Sequence, residues 1–432
     1  MSRWTLPLDL DPGPGSGRRT GDAAGPRASA LDRWLMSRIG CALGDAPVRL
    51  LLWDGTEGRA GRGAPIGTIL FRDRRALLGV AWDPDLYFGD SYERGGLEVE
   101  GDLVALLEAI DRAAGPGGPS GRRGTSLGEH DLRRSRDNVH HHYDLGNEFY
   151  RLWLDSELVY TCAYFPDPSL GLEQAQIAKL DHVCRKLALR PRERVVEAGC
   201  GWGALALYMA RCHGVSVRAF NVSREQIDYA RRRASAEGLS GRVEFVEDDY
   251  RNVDGRFDVF VSVGMLEHVG LENYAALGAV IDRCLLPDGR GLLHFIGRNR
   301  PAPLSAWIRK RIFPGAYPPT LAEALRGVFE PGNFSVLDTE NLRLHYALTL
   351  EHWRTRFEAA ARQVEASHGP AFTRAWRLYL SGSEAAFRSG ALQLFQVSFA
   401  RGRSNAVPWT RGGADVIATR RSERSGEADG PL

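Results

Sequence analysis

The sequence predicts an α/β protein in which a small α+β unit precedes a doubly wound parallel sheet. Three observations carry this. Strand-like and helix-like periodicities alternate from Arg194 to Ile296, the pattern of right-handed βαβ crossovers. The first strand of that series runs into a turn containing three glycines, Gly199, Gly201 and Gly203. A glycine- and proline-rich stretch, AGPGGPSGRRG at 114–124, reads as a linker between the two regions.

Taken in order, residues 1–28 are rich in Gly, Pro and Arg and are expected to form a disordered arm. Residues 29–113 form the small unit. Within it, 48–53 (VRLLLW) and 67–71 (GTILF) read as strands and 104–113 as a helix. Residues 114–127 make the linker, 128–405 the large domain, and 406–432 a polar, loose tail. In the large domain the strands are expected at 194–197, 215–220, 242–246, 257–263 and 291–296. The helices between them are expected at 204–212, 224–236 and 274–285. In such sheets ligands bind at the carboxyl ends of the strands, so chemistry is expected at the glycine turn and after the fourth and fifth strands.

Composition narrows the classes. Of 432 residues, 43% are hydrophobic and 25% charged, so the chain is globular. Fifty-six basic against 54 acidic residues leave +2, with no charge signature for nucleic acid. Lys179, Lys186 and Lys310 are the only lysines. Arginine enrichment along the whole chain fits a GC-rich coding sequence, although arginine also suits bidentate phosphate contacts. The six cysteines include no C-x-x-C pair, which argues against a zinc ribbon or a disulfide framework. No apolar run approaches the ~18 residues of a membrane span, and the start lacks the apolar centre of a signal peptide. A cytoplasmic location is the expectation.

The turn Glu197-Ala198-Gly199-Cys200-Gly201-Trp202-Gly203 reads E-x-G-x-G-x-G between a strand and a helix. Its glycines permit a sharp turn and close approach of backbone to ligand, and the helix N-terminus offers free N–H groups. A dinucleotide turn has one more residue before its third glycine. The spacing found here resembles the first motif of S-adenosylmethionine-dependent methyltransferases. The second strand ends in Asn221-Val222-Ser223, followed by Gln226, without the usual ribose-gripping acid. Asn221, Ser223 and Gln226 can supply those hydrogen bonds, while Ser223 and Gln226 also make an S-x-x-Q capping box. After the third strand, Asp249 and Tyr250 offer an acid and a ring to an adenine; a polar loop is the plainer alternative.

Further stretches narrow the reading. HYDLGNEFY at 142–150, LVYTCAYF at 158–165, SVGMLEHVG at 262–270 and LLHFIG at 292–297 occur in order with the glycine turn. Together they resemble the cyclopropane-fatty-acyl-phospholipid synthases and the related mycolic acid cyclopropane synthases, over about 138–403. GGLEVEGDL at 95–103 is similar to the N-terminal domain of the phospholipid enzymes, which the mycolic acid enzymes lack.

The resemblance implies a Rossmann-like class I methyltransferase domain that uses S-adenosylmethionine as co-substrate, with Tyr143, Tyr160 and Thr161 beside it. It implies transfer of a methylene equivalent to the cis double bond of a phospholipid acyl chain. It also implies a bound bicarbonate as base, held by Cys162, Glu267, His294, Ile296 and Tyr346. Taken singly, Cys162 and His294 would read as core residues and Glu267 as a helix cap. Tyr143, Tyr160, Tyr164 and Phe165 are expected to flank positive charge. Where many relatives carry a further cysteine this chain has Ser383. His140, His141 and His142 invite a metal reading that no carboxylate–His spacing supports. Residues 307–313, WIRKRIF, suit either an anionic membrane surface or a packed helix with snorkelling tips. The expected setting is cytoplasmic and peripheral at the inner face of the membrane, with a homodimer allowed and no nucleic-acid partner. The competing readings are a methyl- or methylene-branched product, an amine N-methyltransferase, and a catalytically silent lipid-binding module.

Overall fold

The computed structural model describes residues 27–114 and 145–408. Most of the expected arm, linker and tail, together with Tyr143 and the three consecutive histidines, lie outside the described residues.

In the small unit, α1 (Ala30–Ala42) starts at a capping box. Ser29 Oγ accepts from the Asp32 N–H, and the Asp32 carboxylate accepts from the Ser29 N–H at 2.8 Å. Strands β1 (Val48–Leu51), β2 (Glu57–Ala60), β3 (Gly67–Phe71) and β4 (Leu97–Gly101) form a sheet of order β2-β1-β3-β4. The β1–β3 pair is parallel and the other two pairs are antiparallel. Helices α2 (Arg74–Trp82) and α3 (Pro84–Glu93) follow β3, and α4 (Leu103–Ala114) follows β4. β3 is buried along its whole length, as its unbroken apolar run requires.

The large unit begins with the short α5 (Asn147–Arg151) and α6 (Leu172–Lys186). Then come β5 (Arg194–Ala198), α7 (Ala204–His213), β6 (Ser216–Asn221), α8 (Arg224–Ala236), β7 (Val243–Glu247) and β8 (Phe257–Val263). They are followed by α9 (Leu266–Val269), α10 (Tyr274–Cys284) and β9 (Leu285–Gly297). The strands β9-β8-β5-β6-β7 lie parallel, with apolar side chains on both faces, as a helix-covered sheet demands.

The sheet is not wholly parallel, which corrects the sequence expectation. It has seven strands, in the order β10-β11-β9-β8-β5-β6-β7. After α11 (Leu321–Ala324), β10 (Phe334–Asn341) leads into the long helices α12 (Arg343–His368) and α13 (Pro370–Ser389). These pack side by side around Gly369, whose φ is +84°, with Pro370 opening the second helix. The hairpin returns the chain so that β11 (Gln393–Arg401) enters antiparallel to both β9 and β10.

One hydrophobic cluster spans both units, joining Leu50, Phe71 and Leu106 to Trp153, Trp307, Trp353 and Phe387. Residues 307–313 are part of this joint. Trp307 and Ile312 are buried, the Trp307 ring sits over Gly89 of α3, and Arg311 makes a two-pronged ion pair with Asp90 at 3.1 Å. The packed alternative therefore holds for this segment. No described helix is long and apolar enough to cross a membrane.

Candidate active site

Where β5 ends, the Gly199 and Cys200 N–H groups donate to the Phe220 carbonyl at 2.9 and 3.0 Å, tying the turn to β6. Its glycines serve two purposes. At Gly203, φ is +85° and a Cβ would lie 2.6 Å from the Phe245 ring, so this glycine lets α7 close on the sheet. At Gly201, φ is +54° and nothing lies within 4 Å of where a Cβ would point. That open space is the floor of a cavity of about 190 Å³.

Glu197, Gly199, Cys200, Gly201 and Trp202 line this cavity on one side. Asn221, Val222, Gln226, Asp249 and Tyr250 line it on another, and Tyr160 and Thr161 also border it. Two expected residues do not reach it. Gly203 packs on Phe245, and Ser223 is spent as the N-cap of α8, accepting from the Gln226 N–H at 3.4 Å. Asn221 is partly engaged: its amide nitrogen donates to Gln226 Oε1 at 2.6 Å and its oxygen accepts from the Val222 N–H at 2.8 Å. Asp249 is held by Arg251, which donates to both carboxylate oxygens at 2.8 and 3.0 Å.

Lys179 lies in none of the motifs that mark the site in the sequence. It comes from α6, is buried, and donates to Thr161 Oγ1 at 3.1 Å. Gln176, one turn earlier, donates to the Thr161 carbonyl at 2.9 Å, so α6 fixes the loop that carries Tyr160, Thr161 and Cys162. Burial pulls the Lys179 ammonium down and pushes the Glu197 carboxyl up, and each partly offsets the other's shift. Glu197 Oε2 is buried without a partner. The signal for Lys179 in the sequence was its rarity, since a lysine on a helix ordinarily faces water.

A second, larger cavity of about 1400 Å³ lies between the two units. Tyr160, Thr161, Gly264, His268 and Phe313 line both cavities, so the two meet there. Glu267, Ile296, Tyr346 and Ser383 line the larger one. Glu267 Oε1 accepts from the Ile296 N–H at 3.3 Å, while Oε2 is buried without a partner. Burial raises this carboxyl to about 7. Tyr346 stacks on Phe387 with ring centroids 4.5 Å apart.

His294 is enclosed on β9, two residues from Ile296, and burial lowers its imidazole to about 3. The Gln396 amide nitrogen, directly across on β11, lies 3.0 Å from His294 Nδ1. An amide NH₂ can only donate, so Nδ1 accepts and the ring proton sits on Nε2. Nε2 is buried and unpartnered.

The remaining expectations fare differently. The Cys162 thiol lines neither cavity: it donates to the Ala163 carbonyl at 3.0 Å and faces Thr349 Oγ1 at 3.9 Å. Burial holds it protonated. Tyr164 stacks between His182 and His345, and Phe165 on His352, so of the four expected aromatics Tyr160 is the one described at the junction. No metal-binding group of His, Cys, Asp and Glu occurs among the described residues.

The profile of the mycolic acid cyclopropane synthetase family matches residues 130–397, and that of a domain of unknown function matches 39–116. The chain belongs to the mycolic acid cyclopropane synthetase family. It is an S-adenosylmethionine-dependent methyltransferase of the cyclopropane-fatty-acyl-phospholipid synthase type. A Pseudomonas putida relative named "Probable fatty acid methyltransferase" is 38% identical over 84% of this chain and 95% of its own length. The "Cyclopropane-fatty-acyl-phospholipid synthase" of Escherichia coli (strain K12) is 42% identical over 62% of this chain and 68% of its own. Among solved structures, mycolic acid cyclopropane synthase CmaA1 with SAH and CTAB aligns at TM-score 0.59 and 30% identity. It covers 62% of this chain and 98% of that one. The family match takes in the glycine turn, Glu267, His294 and Tyr346, and stops before the end of β11.

Proposed function

We propose that this chain transfers a methylene equivalent from S-adenosylmethionine to the cis double bond of a phospholipid acyl chain. The products are a cyclopropane fatty acyl group and S-adenosylhomocysteine. The observation that carries the reading is the junction at Thr161 and Gly264. There a small cavity floored by the glycine turn opens into one larger than the ~300–1,000 Å³ of ordinary small-molecule sites.

In this reading the methionine part of the co-substrate lies over Gly201, with the unpartnered Glu197 oxygen as acceptor for its ammonium. Asn221, Gln226 and Tyr250 face the nucleoside. The sulfonium methyl then points at the junction. The alkene attacks that methyl carbon: a C–C bond forms, the S–CH₃ bond breaks, and positive charge passes from sulfur to the chain. Tyr160 and Phe313 border this point, and aromatic rings favour positive charge. A proton next leaves the delivered methyl, and its C–H electron pair closes the ring.

Bicarbonate, when bound, supplies the base for that proton. The residues fit such an anion in one respect and not in another. Glu267 Oε2 and His294 Nε2 are buried polar atoms without partners; Glu267, Ile296 and Tyr346 line the large cavity, whereas His294 lines neither cavity and lies two residues from Ile296 on β9. The Cys162 thiol faces Thr349 instead, so it is left out of the set. His294, with its proton on Nε2, is a donor to an anion; Glu267 is a donor when protonated.

A methyl- or methylene-branched product is the second reading, favoured by the name of the Pseudomonas putida relative, which spans nearly the whole chain. On this scaffold a 1,2-hydride shift would move the positive charge to the methyl-bearing carbon and loss of a proton from the methyl would leave a methylene branch; a saturated methyl branch would then require a separate hydride donor. The setting proposed is the inner face of the membrane. Expression in a bacterium lacking its own cyclopropane synthase, followed by mass spectrometry and proton NMR of the extracted lipids, decides between them. Cyclopropane methylene signals are expected. A branched-methyl signal alone would establish the second reading, and unchanged lipids would defeat both.

A further inference from the structure

We propose that the outer faces of α1 and α2 form the surface by which this protein docks on an anionic lipid bilayer, with the large cavity opening beside them. The inference rests on the lipid-substrate reading above and adds the surface that delivers the substrate.

Residues 307–313 do not serve this role, because Trp307 and Ile312 are buried against α3. The large apolar side chains left in water lie elsewhere. Leu31 and Trp34 on α1 are 59% and 55% exposed, and Leu78 and Trp82 on α2 are 46% and 82% exposed. Spacings of three and four residues put each pair on one face of its helix. The two helices pack against each other and are joined by the Arg74–Asp32 ion pair at 2.6 Å. Four large apolar side chains left in water on two helices that pack together are the kind of exposure that marks an interaction surface.

Two features identify a bilayer as the occupant. The first is charge. Arg33, Arg38 and Arg75 are exposed on the same helices and enter no ion pair among the described residues. The Arg38 guanidinium stacks over the Trp34 ring at 5.5 Å. Tryptophan with neighbouring arginine is the side-chain pair suited to the headgroup layer, one for the interface and one for phosphates. The second is continuity with the cavity. Arg38 is exposed and also lines the large cavity, which Ile39 of α1, Leu43 just after it, and Val80 and Ala81 of α2 line as well. Each helix thus shows apolar residues to water on one side and to the cavity on the other. An acyl chain leaving a bilayer at this face would meet Arg38 at the cavity's edge and the apolar Ile39, Val80 and Ala81 within it.

The test uses the full chain and unilamellar vesicles of dioleoyl-phosphatidylglycerol with dioleoyl-phosphatidylethanolamine, against dioleoyl-phosphatidylcholine. The double variant Trp34→Ser/Trp82→Ser is expected to lose at least tenfold in partitioning to anionic vesicles. Its turnover on detergent-dispersed oleoyl phospholipid should stay within twofold, with an unchanged unfolding midpoint. Arg33→Gln/Arg75→Gln should weaken binding to the anionic vesicles and leave phosphatidylcholine binding unaltered. As a measurement that does not depend on the double variant folding, vesicles brominated in the acyl chains should quench wild-type tryptophan fluorescence, and Trp82→Phe should remove part of that quenching. Wild-type partitioning by the double variant overturns the proposal. So does a change in its oligomeric state at unaltered vesicle affinity, which would make this face a protein interface. A wild-type protein that binds vesicles through these tryptophans yet modifies no lipid would defeat the functional reading and leave the docking surface standing.

Discussion

Burial raises the Glu267 carboxyl to about 7 and lowers the His294 imidazole to about 3, so at neutral pH the ring is uncharged and the carboxyl is divided between its forms. If the two hold the proton-accepting anion, Glu267→Gln and His294→Ala should lower cyclopropane formation at least a hundredfold. Affinity for S-adenosylmethionine, measured by calorimetry, should stay within a few-fold. Added bicarbonate is expected to restore part of the activity of the weaker variant, because mass action refills a loosened site. Wild-type rates from both variants in bicarbonate-depleted buffer would remove the two residues from the mechanism. The same carboxyl makes a prediction about stability. Its folded value lies above the ordinary 4.5, so the folded chain binds more protons than the unfolded one between about 4.5 and 7. Stability from this group therefore falls as pH rises through that window. Glu267→Gln lacks this fall, so the stability of the variant relative to wild type should grow from pH 5 to pH 7 in urea unfolding. At this scale the sequence draws attention to a residue where its type belongs to a motif, as for Glu197 and Glu267, while Tyr346 enters only through the family resemblance. It was not legible where the role comes from contact across the fold. Lys179 looks like any helix lysine until α6 is packed on the Thr161 loop, and Gln396 acquires meaning only from its register opposite His294.

Among the elements, the glycine turn separates a folding requirement from a binding one. Gly203→Val sets a side chain against Phe245 and Ala230 at a left-handed φ, and overpacking of this kind costs about 1–3 kcal/mol. Gly201→Val meets open space, so its cost is the left-handed backbone strain of about 1–2 kcal/mol. We expect the unfolding midpoint to drop further for Gly203→Val. The loss of S-adenosylhomocysteine affinity, at least tenfold by calorimetry, should be the dominant effect for Gly201→Val. Unaltered affinity in folded Gly201→Val would take this turn out of the binding site. The elements of the parallel sheet could be read closely from hydrophobic runs bounded by glycine and polar residues. Residues 257–263 and 224–236 match β8 and α8 end to end. β9 starts at Leu285, earlier than expected, because Pro287 and Gly289 resemble a turn yet sit within the strand. β11 has no signature in the sequence: its residues are buried along nearly all of its length, so no alternation of polar and apolar positions announces it.

For the whole molecule, the decisive contact is the joint between the units. Trp307 over Gly89, Arg311 with Asp90, and Arg374 donating to the Tyr92 and Leu97 carbonyls at 2.5 and 2.9 Å hold the two units together beside the large cavity. Gly89→Val would force the Trp307 ring away. The expected outcome is a severalfold loss of turnover on phospholipid with S-adenosylmethionine affinity unchanged, since the glycine turn lies wholly within the large unit. Equal turnover would show that the small unit is dispensable to the lipid path. The joint itself was hidden in the sequence, where Trp307 to Phe313 looks as suited to lipid as to protein. The sheet order has a further consequence, in time rather than in space. A ribosome delivers the chain from its N-terminus at roughly 5–20 residues per second, so Gln396, 102 residues after His294, emerges some 5–20 s later. β11 lies between β9 and β10 and sets the tautomer of His294, so a nascent chain can complete the glycine turn well before its histidine is poised. On the proposed role of His294, competence to hold the methyl donor should therefore precede competence to close a ring, and the last of the described strands is the one that would ready the histidine.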